Sequence, residues 1–177
     1  MGLAGCIQLE RTATPTATKE RVITINKVIM GIKLKTPQSA INKMLERKAQ
    51  AVNDAIVEAL KMLGTECVKV IRNNGNYTDQ TGNLRSSTGF MVVSNGQEVY
   101  KSSFEVVEEG YEGSKRGKEI VAEVAKQYPT DNVLVVVAGM KYGIYVERKG
   151  YDVLTSGQLF AKKGVKQYVE EMGLTLK

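Results

Sequence analysis

Between Thr36 and Gly75, apolar residues recur at positions 41, 45, 49, 52, 56, 59/60, 63, 67 and 70/71. That spacing of three and four puts them on one stripe of an α-helix. Thr36 suits an N-cap with Pro37 at the first helical position, and Asn73-Asn74-Gly75 offers residues that tolerate the left-handed conformation of a C-cap. At 1.5 Å per residue such a helix runs roughly 50 Å. That is long for a chain of 177 residues, so part of its apolar stripe is expected to pack on another subunit.

The rest of the chain must be arranged around this helix. Residues 1–36 read as an extended arm. The run Thr12-Ala13-Thr14-Pro15-Thr16-Ala17-Thr18 has no apolar periodicity, and Val22, Ile23, Ile25, Val28, Ile29, Ile32 and Leu34 after it are β-prone. Lys33 and Lys35 alternate with Ile32 and Leu34, as in an edge strand or a segment that docks on a neighbour. After the helix, residues 90–94 and 99–106 flank Asn95-Gly96, a strong hairpin signal. A short amphipathic helix is expected over 114–127, ended by Tyr128-Pro129. The continuous apolar run at 133–138 predicts a central strand covered on both faces. A helical turn is expected near 142–146. A last helix over about 155–172 carries Leu159, Phe160, Val165, Tyr168, Val169 and Met172. The whole is α+β: a long amino-terminal amphipathic helix packed on a small, mainly antiparallel sheet with two or three shorter helices. Residues 37–177 form one domain in this reading, and no internal repeat is visible.

Composition removes several classes of chemistry. The sequence has no His, so His-based nucleophilic relays and His-bearing zinc or haem sites are excluded. Its two cysteines, Cys6 and Cys67, cannot make a four-thiolate cluster, and they read as a reduced intracellular pair. The glycine-rich stretch 110–118 fails as a phosphate loop. Only three residues separate Gly113 from Gly117, and Glu119 follows Lys118 where Ser or Thr is needed. The pairs Glu108-Glu109 and Glu170-Glu171 are adjacent in sequence, and on a helix such neighbours diverge rather than converge. Ser156 and Ser114-Lys115 carry no specific signal, and Cys67 lies on the apolar stripe as a core residue. No enzyme activity, cofactor or metal is expected. No run approaches the ~20 apolar residues that span a bilayer, and the start, residues 1–6, does not read as a signal peptide.

The net charge of +6 is unevenly placed: residues 1–75 hold 12 Lys/Arg against 6 Asp/Glu, and residues 76–177 hold 13 of each. Lys43, Arg47, Lys48, Lys61, Lys69 and Arg72 could line a basic stripe on the long helix, but Glu46, Asp54, Glu58 and Glu66 interrupt it. A basic DNA-associated accessory protein is the alternative that this asymmetry keeps open.

Two blocks carry a resemblance. The first is Tyr77-Thr78-Asp79-Gln80-Thr81-Gly82-Asn83-Leu84-Arg85-Ser86-Ser87; the second runs from Val135 through Gly139-Met140-Lys141-Tyr142-Gly143-Ile144-Tyr145-Val146-Glu147-Arg148-Lys149-Gly150-Tyr151-Asp152 to Leu154. In this order, with a variable hairpin and helix between them, they resemble the neck proteins of tailed bacteriophages, the head–tail joining or tail-completion family of the gene-product-ten type. The resemblance covers roughly residues 38–172 and leaves the arm outside. It implies a virion structural protein, assembled in the host cytoplasm, that forms a six- or twelve-fold ring between portal or adaptor and tail proteins. DNA is then only passing cargo, and no membrane is involved. On that reading Thr81-Gly82-Asn83 caps a turn with Leu84 tucked inward, and Arg85 is free to pair with a carboxylate on a neighbour. Glu147 is a candidate acidic partner for an arginine such as Arg85, and Tyr142, Tyr145 and Tyr151 are interface aromatics. Lys33 and Lys35 of the arm join them as candidate contacts to acidic faces of adjacent subunits.

Overall fold

The structure, a computed structural model, describes residues 3–9 and 37–171. Its elements in chain order are β1 (Leu3–Leu9), α1 (Gln38–Asn74), α2 (Asn83–Ser86), β2 (Thr88–Ser94), β3 (Gln97–Lys101), α3 (Tyr111–Ala125), β4 (Asn132–Ala138), α4 (Gly143–Arg148) and α5 (Thr155–Glu171). The fold is α+β, as the periodicities predict. Among the described residues the sheet has four strands in the order β1-β4-β2-β3, and every neighbouring pair is antiparallel. Contacts divide the chain into two units: Met1–Glu10 with Ile56–Lys177, and Arg11–Ala55.

Strand β4 organises the first unit. All seven of its residues are buried, because its two faces serve two cores. Leu134, Val136 and Ala138 face Val57, Leu60, Leu63 and Ile71 of α1, Phe90 and Val92 of β2, and Val165 of α5. Val133, Val135 and Val137 face Met91 and Val93 of β2, Ile120 and Val121 of α3, and Phe104. An unbroken apolar run is what a strand between two helical layers requires.

The stretch read as an arm supplies β1, which lies beside β4 in an unbroken register from Leu3↔Ala138 to Leu9↔Asn132. Residues 10–36, with the β-prone strip and the expected Thr36 cap, fall outside the described residues.

The hairpin turns where Asn95-Gly96 predicts it, with both residues at positive φ (50° and 75°) as a type I′ turn demands. Its second strand is shorter than expected and stops at Lys101 instead of running to Val106. The cause is Phe104, which takes φ 51° and drops its ring into the α3-side core, 2 % exposed. Its ring lies so close to Gly89 and Gly117 that a Cβ at either position would collide with it.

Helix α5 also differs in which face it buries. Leu159 and Phe160 are exposed, while Ala161 and Val165 are buried. Gly157 and Gly164 set that choice, since they lie directly against the Ile71 and Leu63 side chains of α1. Among the described residues no helix is long and apolar enough to cross a membrane.

Leu134 is fully buried where α1, α5 and β2 meet, so Leu134→Ala should lower unfolding free energy by about 3 kcal/mol. Leu159→Ala, at a site 56 % exposed, should change it by less than about 0.5 kcal/mol. Urea denaturation of both variants measures the contrast.

Candidate functional site

The two sequence blocks meet in space. The loop after α1 and the start of α4 together form a half-open cleft of about 410 Å³, lined by Tyr77, Thr78, Asp79, Gln80, Thr81, Leu84, Tyr142 and Val146. Tyr77 is buried at its wall. Burial pushes the Tyr77 phenol up to about 12, with the Arg85 guanidinium opposing the shift. Burial also raises Tyr142, helped by the Asp79 and Glu112 carboxylates. Both phenols therefore stay neutral at ordinary pH.

Arg85 is held inside the chain. Its Nε donates to Asp79 Oδ2 at 3.2 Å, its Nη1 donates to the Arg72 carbonyl at 2.9 Å, and its guanidinium lies 5.4 Å from the Tyr77 ring centre. Arg72 is in the last turn of α1, so Arg85 supplies a donor to a carbonyl that the helix leaves unpaired. The expected pairing of Glu147 with Arg85 is not the one formed. Glu147 Oε1 instead accepts from the Thr155 hydroxyl at 2.6 Å and from the backbone N–H groups of Thr155 at 3.0 Å and Leu154 at 3.2 Å. A carboxylate at the start of α5 meets free amide donors and the positive end of the helix dipole, which an arginine already bound to Asp79 cannot match.

Other residues of the blocks do the same work. Asp152 Oδ1 accepts from Ser156 N at 3.1 Å, also at the start of α5. Asn83 Oδ1 accepts from Gly113 N at 2.9 Å, capping the first turn of α3 from thirty positions away. Asn76 Oδ1, just ahead of the first block, accepts from Asp152 N at 2.8 Å and ties the end of α1 to the second block. The expected cap at Thr81-Gly82-Asn83 takes another form: Gly82 is the N-cap of α2, at φ 66° and without a side-chain bond. Leu84 is tucked inward as expected, 2 % exposed. The blocks thus converge on the ends of three helices.

No protein-family model, curated protein or solved structure matches the chain.

The remaining candidates separate clearly. Tyr142, Tyr145 and Tyr151 are 41 %, 63 % and 43 % exposed, and Tyr111 at the start of α3 is 73 % exposed. Lys33 and Lys35 lie outside the described residues. In the proposed basic stripe, Lys61 pairs with Glu58, Lys69 with Glu66 and Arg72 with Glu105, so half of it is neutralised locally. The glycines of the rejected phosphate loop have a packing role. Gly113 lies against the Asn83 backbone, and Gly117 against the Ser87 carbonyl and the Phe104 ring, closing α3 onto α2 and β2. The Ser114 hydroxyl donates to the Phe104 carbonyl at 2.8 Å within that seam. Cys67 donates its thiol to the Gly157 carbonyl at 3.0 Å, and burial pushes it up to about 11. Among the described residues no group of three or more His, Cys, Asp or Glu is placed to hold a metal ion.

Sequence reasoning missed Tyr77 and Asp79 as the partners that hold Arg85, and it gave Asn83 a cap at its own turn where the structure has it cap α3. The α3 cap could not be read locally, because Gly113 lies thirty positions away.

Asn83→Ala should cost about 1 kcal/mol by removing the remote cap, and Glu147→Ala a similar amount at α5; chemical denaturation measures both. Tyr77 gives a pH test. Its folded pKa is raised above the ordinary 10, so the stability it adds is complete below pH 10 and is lost as pH rises through about 12. Tyr77→Phe should therefore lose less stability than the parent between pH 10 and 12, read from urea midpoints at stepped pH. Cys67 adds a loss of the same sign between about 9 and 11, equal in both proteins.

Proposed function

We propose that this chain is a structural subunit of a tailed-bacteriophage neck, a connector or tail-completion ring joining portal to tail. The observation that carries this reading is the uncovered apolar stripe of α1. The stripe runs from one end of the helix to the other, but on residues 38–55 its members Leu45 and Val52 are 59 % and 50 % exposed. An amphipathic helix with one half of its apolar face open is the chemistry of a subunit whose partner supplies the cover. Copies related by rotation about one axis meet through two different surfaces and close into a ring. The exposed tyrosines of α3 and α4 add amphipathic contact area suited to such surfaces. The two sequence blocks that resemble the neck family support the same role, as does their convergence on a single cleft.

Charge supports the assignment of partners. The unit Arg11–Ala55 holds 9 Lys/Arg against 3 Asp/Glu, while the remaining residues hold 16 of each. All of the +6 thus belongs to one unit, which is suited to acidic faces of adjacent virion proteins. The same concentration of positive charge favours a second reading, a DNA-associated accessory protein, because phosphate is the other abundant acidic partner.

Light scattering with negative-stain microscopy tests the ring: purified protein should form closed rings of constant mass. Leu45→Glu combined with Val52→Glu should dissociate them while leaving the helical circular dichroism unchanged. A monomer at all concentrations would overturn the ring. DNA affinity that is strong at low salt and falls by roughly tenfold or more for each fewfold rise in salt would favour the second reading.

A further inference from the structure

The strand β1 has an unusual place in the chain. It belongs to the same unit as β4, yet the chain leaves that unit after Glu10, runs through all of Arg11–Ala55, and returns only at Ile56. Nothing short ties β1 to the sheet that it completes. Residues 10–36 alone are 27 residues, enough to reach up to about 90 Å when extended. That reach exceeds the span between neighbouring small domains, which are some 30 Å across.

The seat that β1 fills is costly to leave open. With β2 on one side, β4 depends on β1 for its other row of backbone partners, and all seven β4 residues are buried. An open edge of Val133–Val137 character would be a long, flat, apolar edge of the kind that aggregates. The β1–β4 ladder is also self-contained: seven successive pairs from Leu3↔Ala138 to Leu9↔Asn132 with no shift of register. The β2–β3 ladder, by contrast, shifts between Val92 and Val93. A regular ladder whose strand is separated from the rest of the described chain by 27 residues makes the same contacts whether the strand comes from its own chain or from another copy.

We propose that β1 is an exchanged strand: in the assembled oligomer, residues 3–9 of one copy occupy the β4 edge of the next. Each copy gives one strand and receives one, so no β4 edge is left open and the copies are linked in sequence around the ring. Exchange conserves every rung of the ladder. Once α1 faces associate, the neighbour's strand is present at high effective concentration. The inference rests on the ring proposed above only in requiring a second copy of this chain.

Disulfide trapping tests it. Cys6 stands opposite Val135 and Gly5 opposite Val136 in the register. Successive antiparallel rungs alternate between wide and narrow pairs, so one of the two has geometry close to that of a disulfide. One variant carries Val135→Cys with Cys67→Ala; the other carries Gly5→Cys, Val136→Cys, Cys6→Ser and Cys67→Ala. Each is oxidised, its native mass measured by light scattering, then run denatured without reductant. The expected result is an oligomer whose chains run mostly as a ladder of covalent multimers. An oligomer whose chains are linked only within themselves overturns exchange and leaves the ring standing. A native monomer linked within itself overturns both. No disulfide in either variant overturns the β1–β4 pairing and exchange with it.

Discussion

Everything in the folded unit depends on one strand being apolar on both faces. Because β4 sends Leu134, Val136 and Ala138 to one side and Val133, Val135 and Val137 to the other, the sheet must be covered twice. The carboxyl-terminal part of α1 and α5 provide one cover, and α3 provides the other. At about 25 cal/mol per Å² of apolar surface buried, two cores sharing a single strand make that strand the chief source of cohesion. Its burial also dictates the glycines. Helix α3 reaches the strand only because Gly113 and Gly117 let it lie against α2 and β2, and α5 reaches α1 through Gly157 and Gly164.

With the helices placed, their ends need partners, and the two sequence blocks provide them. Arg85 serves the end of α1, Asn83 the start of α3, and Glu147 and Asp152 the start of α5. Arg85 and Glu147 bond within the chain, while Tyr142, Tyr145 and Tyr151 around them are left exposed. Exposed aromatics beside a helix with an open apolar stretch are the features on which the proposed ring rests.

Much of the fold was legible in the sequence wherever the deciding interaction is local. The α1 stripe, the Asn95-Gly96 turn and the 133–138 strand all follow from periodicity or turn chemistry within a few residues. What was not legible depends on distant partners. Phe104 ends β3 early because of a pocket made by Gly89 and Gly117, and α5 turns Leu159 outward because its glycines meet α1. The same applies at the candidate site. The sequence offers Arg85 for a carboxylate on a neighbour and Glu147 for an arginine, whereas within the chain Asp79 and the amides of residues 154 and 155 are the partners they meet. Strand β1 was read as part of an arm because its seven residues carry no pattern that names β4, whose pairing begins at Leu3↔Ala138.

That pairing has a consequence for how the protein is made. Synthesis proceeds from the amino terminus, at roughly 5–20 residues per second. Leu3 therefore leaves the ribosome on the order of 10 seconds before its partner Ala138 exists. During that interval β1 has no β4 edge in its own chain to join, while α1 and the hairpin can already form from contacts close in sequence. Strand β1 is made well before β4 of its own chain, so within one chain the shortest time it spends unpaired is set by translation rather than by the energetics of the finished fold.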